Sequence, residues 1–191
     1  RKMEALPVYR RIDAGDEMRK NFETFRASHE LLAKGRCVAI FPEGVSHDET
    51  KLKPLKTGAA RIALGALGYA GADNRLARQG LKIMAVGMFY TSKTAFRSEA
   101  LIRFGELFDV EPVTLDERGE PPREAVRELT DKIELALRDA TLNTENSQEL
   151  EALTKAEALF SSVYETLLFR ETLAESFLRL RDFAVKFDFL K

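Results

Sequence analysis

The chain has 191 residues, of which 45% are hydrophobic and 32% are charged, a composition typical of a folded globular domain. Its formal net charge of −1 gives no general attraction to nucleic acid, and we expect no nucleic acid partner. The single cysteine, Cys37, excludes a disulfide within the chain and a metal site built from several cysteines.

Strand-like and helix-like segments alternate along the first part of the chain. Residues 6–9 predict a short strand and residues 16–34 a helix, with Gly35 suited to end it. Residues 37–41 form a continuous apolar run, which predicts a strand buried on both faces. Cys37 would then be a small buried filler of the core.

The second part of the chain adds strands and then helices. The predicted elements are a helix that Thr57 caps, strands over 81–88 and 101–104, a helix that opens at Pro121, and one or two amphipathic helices over 147–190, capped by Ser147. This alternation predicts an α/β fold with a mixed, mostly parallel sheet flanked by helices, followed by a helical C-terminal region. We expect one domain over residues 1–140 and an amphipathic helical region over 141–191.

The predicted buried strand leads into the part of the sequence richest in chemistry. Pro42 stops the strand because it has no backbone N–H, and Gly44 allows a sharp turn and close approach of a ligand. Glu43, between them, can accept hydrogen bonds from a polyol. Lys56 and the start of the helix after Thr57 both favour an anion. These features suggest a site for a sugar phosphate or glycerol phosphate, although a solvated turn is the alternative for the same residues.

Several segments resemble the glycerol-3-phosphate and lysophosphatidate acyltransferase family. "FPEGVS" resembles the family's F-P-E-G-x-S/T motif, and "PLKTGAARIAL" resembles the K-x-G segment that follows, with Lys56 and Gly58 at the matching positions. "LPVYRR" resembles an upstream block and places Arg10 on its arginine. "IMAVGMFY" and "IRFGELFDV" resemble the later blocks, and all five occur in the family's order. The resemblance covers roughly residues 4–140.

The resemblance implies an O-acyltransferase of phospholipid biosynthesis. Its acyl donor would be acyl-CoA or acyl carrier protein, and its acceptor a hydroxyl of a glycerol-3-phosphate-type molecule, with no metal or other cofactor. Glu43 and Gly44 would hold the glycerol moiety, and Arg10 and Lys56 would bind its phosphate. The predicted substrate-binding residues are Arg10, Phe41, Pro42, Glu43, Gly44, Ser46, Lys56 and Gly58. Ser46 could bind a ligand or cap the loop.

The catalytic motif of the family is missing from this sequence. In the family, the histidine of an H-x-x-x-x-D motif is the general base and the aspartate orients it. Here His29 is followed five positions later by Lys34, and His47 by Leu52. The motif precedes the arginine block in the family, so we expect it upstream of Arg1. The chain would then be a fragment of the acyltransferase domain that is inactive by itself.

Two other functions remain open from the sequence. One is a non-catalytic module of the same fold that binds glycerophosphate or lipid. The other is an unrelated α/β phosphate-sugar enzyme that uses His47 and Asp48 as a dyad. His29 lies in a predicted helix, where a surface or packing role is expected.

The composition of the C-terminal region is relevant to association with a membrane. Residues 159–190 interleave phenylalanine and leucine with basic residues, which predicts a helix docked on the core or, alternatively, a helix at a membrane interface. No run of about 18 apolar residues is present, so the sequence predicts no membrane-spanning segment. Because the substrates and products of the family partition into bilayers, we expect association with the cytoplasmic face of a membrane.

Overall fold

The structure is a computed structural model, which describes residues 5–6, 20–69, 75–92, 95–165 and 172–189. These residues belong to two compact units. Unit one draws on the ranges Arg1–Pro42, Leu55–Ile83 and Phe108–Lys132, and unit two on Glu43–Pro54, Met84–Leu107 and Ile133–Lys191.

Six helices and two strands make up the described part of the chain. In chain order they are α1 (Lys20–Ala33), α2 (Gly58–Tyr69), α3 (Arg75–Gln79), β1 (Leu81–Tyr90), β2 (Ala100–Val110), α4 (Arg123–Ala140), α5 (Ser147–Glu165) and α6 (Leu173–Phe189). The α/β class is therefore confirmed, and both strands predicted after residue 80 are present.

The sheet differs from the prediction. Among the described residues, strands β1 and β2 pair only with each other, and the Thr91 N–H donates to the Glu99 carbonyl across the turn between them, as in a hairpin. A parallel pair needs a crossover connection of about a dozen residues or more, and residues 91–99 are too few. The prediction of a mostly parallel sheet is wrong for the described residues, which form an antiparallel hairpin.

The segment predicted as a buried strand, residues 37–41, is irregular and exposed. Cys37 is exposed and the side chain of Phe41 is 78% exposed. A β-strand needs at least one hydrogen-bonded neighbouring strand, and neither β1 nor β2 pairs with this segment. The predictions of this strand and of a buried Cys37 are therefore wrong. The strand predicted at 6–9 lies almost wholly outside the described residues.

Unit one is built around the small residues of α2. Its buried residues are Ala60, Ile62, Ala63, Leu64, Gly65 and Ala66. Gly65 lies against the His29 imidazole of α1, and Gly68 lies against Leu115. Because these glycines carry no Cβ, α2 can approach its neighbours closely. His29 is therefore a packing residue, one of the two roles expected from the sequence, and its buried Nε2 has no hydrogen-bond partner in the part of the chain that the structure describes.

Unit two contains the C-terminal helices. A buried cluster of Leu153, Leu180 and Ala184 joins α5 to α6, with Phe89, Leu142 and Phe183 packed against it. The rings of Phe89 and Phe177 lie 5.4 Å apart, and Phe177 is almost fully buried. Helix α5 begins at Ser147, but its cap is Asn146, whose Oδ1 accepts a hydrogen bond from the Glu149 N–H.

The contact between Gly65 and His29 yields a prediction about stability. Alanine in place of glycine inside a helix normally stabilises a protein by roughly 0.5–1 kcal/mol. Here a Cβ on Gly65 would lie 2.7 Å from His29 Cε1 and 2.8 Å from Nε2. Gly65→Ala should therefore destabilise the protein by about 1–3 kcal/mol, measured by denaturant unfolding. In a His29→Ala background the same change should be neutral or stabilising, and equal losses in both backgrounds would refute the contact.

His29 also predicts a dependence of stability on pH. Burial lowers the pKa of this histidine below its ordinary value of 6.5, and the nearby charge of Glu120 partly offsets the effect. Below pH 6.5 the unfolded chain binds this proton more readily than the folded chain, so the contribution to stability is lost as the pH falls. Between about pH 7.5 and about pH 5.5 the melting temperature should fall less in His29→Gln than in the wild type. Equal falls in both proteins would contradict this assignment.

Candidate functional site

The residues predicted to bind substrate are distributed over both units. Glu43, Gly44 and Ser46 begin the segment 43–54 of unit two, and Ser46 is exposed. Phe41, Pro42, Lys56 and Gly58 belong to unit one. Arg10 lies outside the described residues, so its approach to Glu43 stays a prediction.

The carboxylate of Glu43 is held by two donors. Its Oε2 accepts a hydrogen bond from the Lys53 backbone N–H at 2.9 Å and lies 2.6 Å from Nε2 of His47. The Glu43 side chain is 24% exposed, so most of its water has been removed. Gly44 has a φ of 69°, a conformation that favours glycine, and thereby turns the chain as the sequence predicts. The result is a half-buried carboxylate of fixed position.

The hydrogen bond at Nδ1 of the His47 ring determines whether Nε2 is a donor or an acceptor. Nδ1 accepts a hydrogen bond from the Glu49 backbone N–H at 3.2 Å, so it carries no proton. A neutral imidazole has one donor and one acceptor nitrogen, and Nε2 must then be the donor to Glu43. Both nitrogens are engaged within the loop, and the ring presents no lone pair to a substrate. This arrangement does not support the catalytic dyad of His47 and Asp48.

The far half of the loop is anchored inside unit two. The Thr50 hydroxyl donates to the Thr144 carbonyl at 3.1 Å, and the Thr144 N–H donates to the Thr50 carbonyl at 3.1 Å. The Leu52 N–H donates to Oδ1 of Asn143 at 3.0 Å. These bonds attach residues 50–52 to the segment that contains Asn143 and Thr144.

A cleft of about 290 Å³ lies beside this loop, but it is not the predicted site. It is lined by Glu49, Lys51, Leu52, Lys53, Pro54, Glu134 and Arg138, and Glu43 is not among them. The charges in the cleft are largely paired, with Lys53 on Glu49 at 2.8 Å and Arg138 on Glu134 at 2.7 Å. We therefore assign no substrate to it.

In unit one, the start of α2 has the features expected of an anion site. The Lys56 N–H donates to the Pro42 carbonyl at 2.7 Å, and the Arg61 N–H donates to the Thr57 carbonyl at 3.0 Å, which places Thr57 at the predicted cap position. The Lys56 side chain is exposed and makes no ion pair with the described residues. A Cβ on Gly58 would meet nothing within 4 Å, so the space beside the first turn is open.

Two further features, a metal-binding group and a membrane-spanning helix, are absent among the described residues. None of their histidine, cysteine, aspartate and glutamate side chains form a group of three or more that could hold a metal ion. No helix in the described ranges is both long enough and apolar enough to cross a membrane.

Sequence reasoning missed the bond between Glu43 and His47. The two residues are four positions apart, a spacing that brings side chains together in a helix but predicts no contact in an irregular loop. The available signal was that the two residues lie on either side of the glycine turn, Glu43 directly before Gly44 and His47 three positions after it.

Comparison with known proteins places the chain among acyltransferases. Residues 1–88 match a family model described as Acyltransferase. The chain is 36% identical over 141 residues to Glycerol-3-phosphate O-acyltransferase 1 of Saccharomyces cerevisiae and 34% identical over 143 residues to Glycerol-3-phosphate O-acyltransferase 2 of that yeast. It is 32% identical over 135 residues to Uncharacterized acyltransferase C1718.04 of Schizosaccharomyces pombe.

These similarities cover much of this chain but a small part of the relatives. They extend over 73%, 75% and 70% of this chain and over 18%, 18% and 19% of the three relatives, in the same order. The chain thus spans less than a fifth of the length of the curated relatives it matches. No solved structure matches it significantly.

Proposed function

This chain belongs to the acyltransferase family, and we propose that it carries the acceptor-binding part of a glycerophosphate O-acyltransferase of phospholipid biosynthesis. The donor in this proposal is an acyl thioester, acyl-CoA or acyl carrier protein. The acceptor is glycerol-3-phosphate or a close relative. Two of the similar yeast proteins are named for acyl transfer to glycerol 3-phosphate, which supports the proposal.

The observation that carries the proposal is the state of the Glu43 carboxylate. Its Oε2 receives both protein donors, whereas Oε1 accepts no hydrogen bond from any described residue. A half-buried carboxylate oxygen of this kind is a strong acceptor for a substrate hydroxyl, because a hydrogen bond to a charged group is stronger than one between neutral groups. Glu43 would accept a hydroxyl of the glycerol moiety.

The phosphate of the acceptor would be bound by positive charge. Lys56 has an exposed ammonium group, and it precedes a 12-residue helix whose N-terminal amides favour anions. Arg10 is the second cation in the proposal, on the strength of the resemblance. A guanidinium can bind phosphate through two parallel N–H donors.

The chemical step needs a base, and neither histidine of the chain is placed to act as one. The acceptor hydroxyl forms a bond to the thioester carbonyl carbon, the C–S bond breaks, and the hydroxyl proton passes through a base to the departing thiolate. His29 is packed against α2, and both nitrogens of His47 are engaged. The resemblance to the family implies that the general base is the histidine of an H-x-x-x-x-D motif, which these 191 residues do not contain, and the proposal keeps that assignment.

Association with the cytoplasmic face of a membrane is part of the same proposal, because acylated glycerophosphates partition into bilayers. Flotation of the protein, at its full encoded length, with phospholipid vesicles is the measurement that decides it. A protein that stays in the aqueous fraction at low ionic strength would argue against this location.

Substitution of Glu43 tests the acceptor site. In the protein at its full encoded length, Glu43→Gln should raise the KM for glycerol-3-phosphate about 10- to 100-fold, because a bond to a charged acceptor is lost. Arg10→Ala should raise the same constant. Glu49→Gln is the matched control, since Glu49 is an exposed carboxylate of the same loop that keeps its backbone bond to His47. An unchanged KM in Glu43→Gln would remove the basis of the proposal.

The engagement of both histidines by structural contacts yields a second prediction. The 191-residue chain alone should release no thiol from acyl-CoA above the uncatalysed rate, with or without glycerol-3-phosphate, in a thiol-detection assay. The protein at its full encoded length is the positive control. Turnover by the chain alone would show that its own residues provide the base, and failure of both proteins would favour a non-catalytic binding module.

A further inference from the structure

The segment 43–54 contains a hydrogen-bond chain that the proposed reaction does not by itself require. The Glu49 N–H donates to Nδ1 of His47, and Nε2 of the same ring donates to Oε2 of Glu43. The Lys53 N–H donates to that same oxygen. Three residues of one loop therefore determine the orientation of a single carboxylate, and all four belong to unit two.

We propose that His47 is a positioning residue that holds the Glu43 carboxylate so that Oε1 is presented to a hydroxyl of the acceptor. The proposal rests on the function proposed above, since it concerns the same site. His47 acts through Glu43 and does not touch the substrate.

The first argument concerns freedom of rotation. A glutamate side chain has three rotatable bonds, and ordering them when substrate binds weakens the binding. In this loop the carboxylate is already fixed by the His47 ring at 2.6 Å and the Lys53 amide at 2.9 Å. Since both donors meet Oε2, the orientation that they select leaves Oε1 without a hydrogen bond from any described residue. Preorganisation of this kind improves affinity for the acceptor.

The second argument concerns charge. With Nδ1 accepting the Glu49 N–H, the His47 ring is a neutral donor to Glu43. A neutral donor orients the carboxylate without cancelling its charge. A lysine or arginine in the same place would form an ion pair and weaken the carboxylate as an acceptor for the substrate. The imidazole therefore combines a fixed direction with an intact negative charge.

Two near-isosteric variants separate the two bonds of the ring. In His47→Asn the side-chain oxygen can occupy the place of Nδ1 and accept the Glu49 N–H, but the side chain is too short to reach Glu43. In His47→Gln the amide nitrogen can occupy the place of Nε2 and donate to Glu43, whereas the bond from the Glu49 N–H is lost. The pair distinguishes positioning of Glu43 from general support of the loop.

The experiment measures kcat and both KM values in the protein at its full encoded length, with glycerol-3-phosphate and a long-chain acyl-CoA. We expect His47→Ala and His47→Asn to raise the KM for glycerol-3-phosphate about tenfold, with kcat and the KM for acyl-CoA within about twofold of the wild type. His47→Gln should keep the KM for glycerol-3-phosphate within about threefold of the wild type.

Thr50→Val is the matched control for the loop. It removes the bond from the Thr50 hydroxyl to the Thr144 carbonyl and leaves the donors to Glu43 in place. Its KM for glycerol-3-phosphate should stay within about twofold of the wild type. If Thr50→Val raises this KM as much as His47→Ala, general loosening of the loop explains the effect and the proposal is overturned.

The remaining outcomes separate this inference from the proposed function. If Glu43→Gln raises the KM and His47→Asn does not, His47 is not a positioning residue although the acceptor site stands. If Glu43→Gln has no effect, the acceptor site itself is wrong. A double variant, Glu43→Gln with His47→Asn, should show the KM of Glu43→Gln alone, and additive increases would overturn the proposal. His47→Asn and His47→Gln retain polar groups and keep the test decisive if His47→Ala does not fold.

Discussion

A carboxylate that loses most of its water must receive hydrogen bonds from the protein, and the 43–54 loop satisfies this requirement at Glu43. One oxygen of Glu43 takes the His47 ring and the Lys53 amide, and the ring is held in turn by the Glu49 amide. The left-handed turn at Gly44 is the local condition for this arrangement, because it reverses the chain directly after Glu43. The loop is thus ordered around one charged group.

Hydrogen bonds attach the loop within unit two, and a separate hydrogen bond lies within unit one. In unit two, Thr50 and Leu52 are bonded to the segment that contains Asn143 and Thr144. In unit one, the Lys56 amide is bonded to the Pro42 carbonyl. Each support is a hydrogen bond in which backbone atoms take part, so none of them depends on a flexible pair of charged side chains. A loop that is attached through backbone atoms needs little reordering when a ligand binds.

Much of the secondary structure could be predicted because its signals are local. Gly35 ends α1 with a φ of 69°, Thr57 precedes α2, and α4 begins directly after the two prolines. The buried strand at 37–41 and the parallel sheet were wrong because burial and strand direction depend on partners far along the chain. An apolar run such as Cys37–Phe41 indicates a preference for burial, but it cannot show that a neighbouring strand is there to pair with it.

The candidate site was predictable to a similar degree. The turn at Gly44 and the place of Glu43 beside it follow from backbone chemistry, and both are observed. The role of His47 was missed because tautomer and direction are set by the Glu49 amide, a backbone group that no side-chain pattern reveals.

Both histidines of the chain have structural partners, since His29 fills the space left by Gly65 and His47 orients Glu43. In the proposed function, recognition of the acceptor and removal of its proton are therefore assigned to different residues. A residue that binds a remote part of the substrate and one that acts on the reacting oxygen contribute in different ways, the first to affinity and the second to the rate of the chemical step.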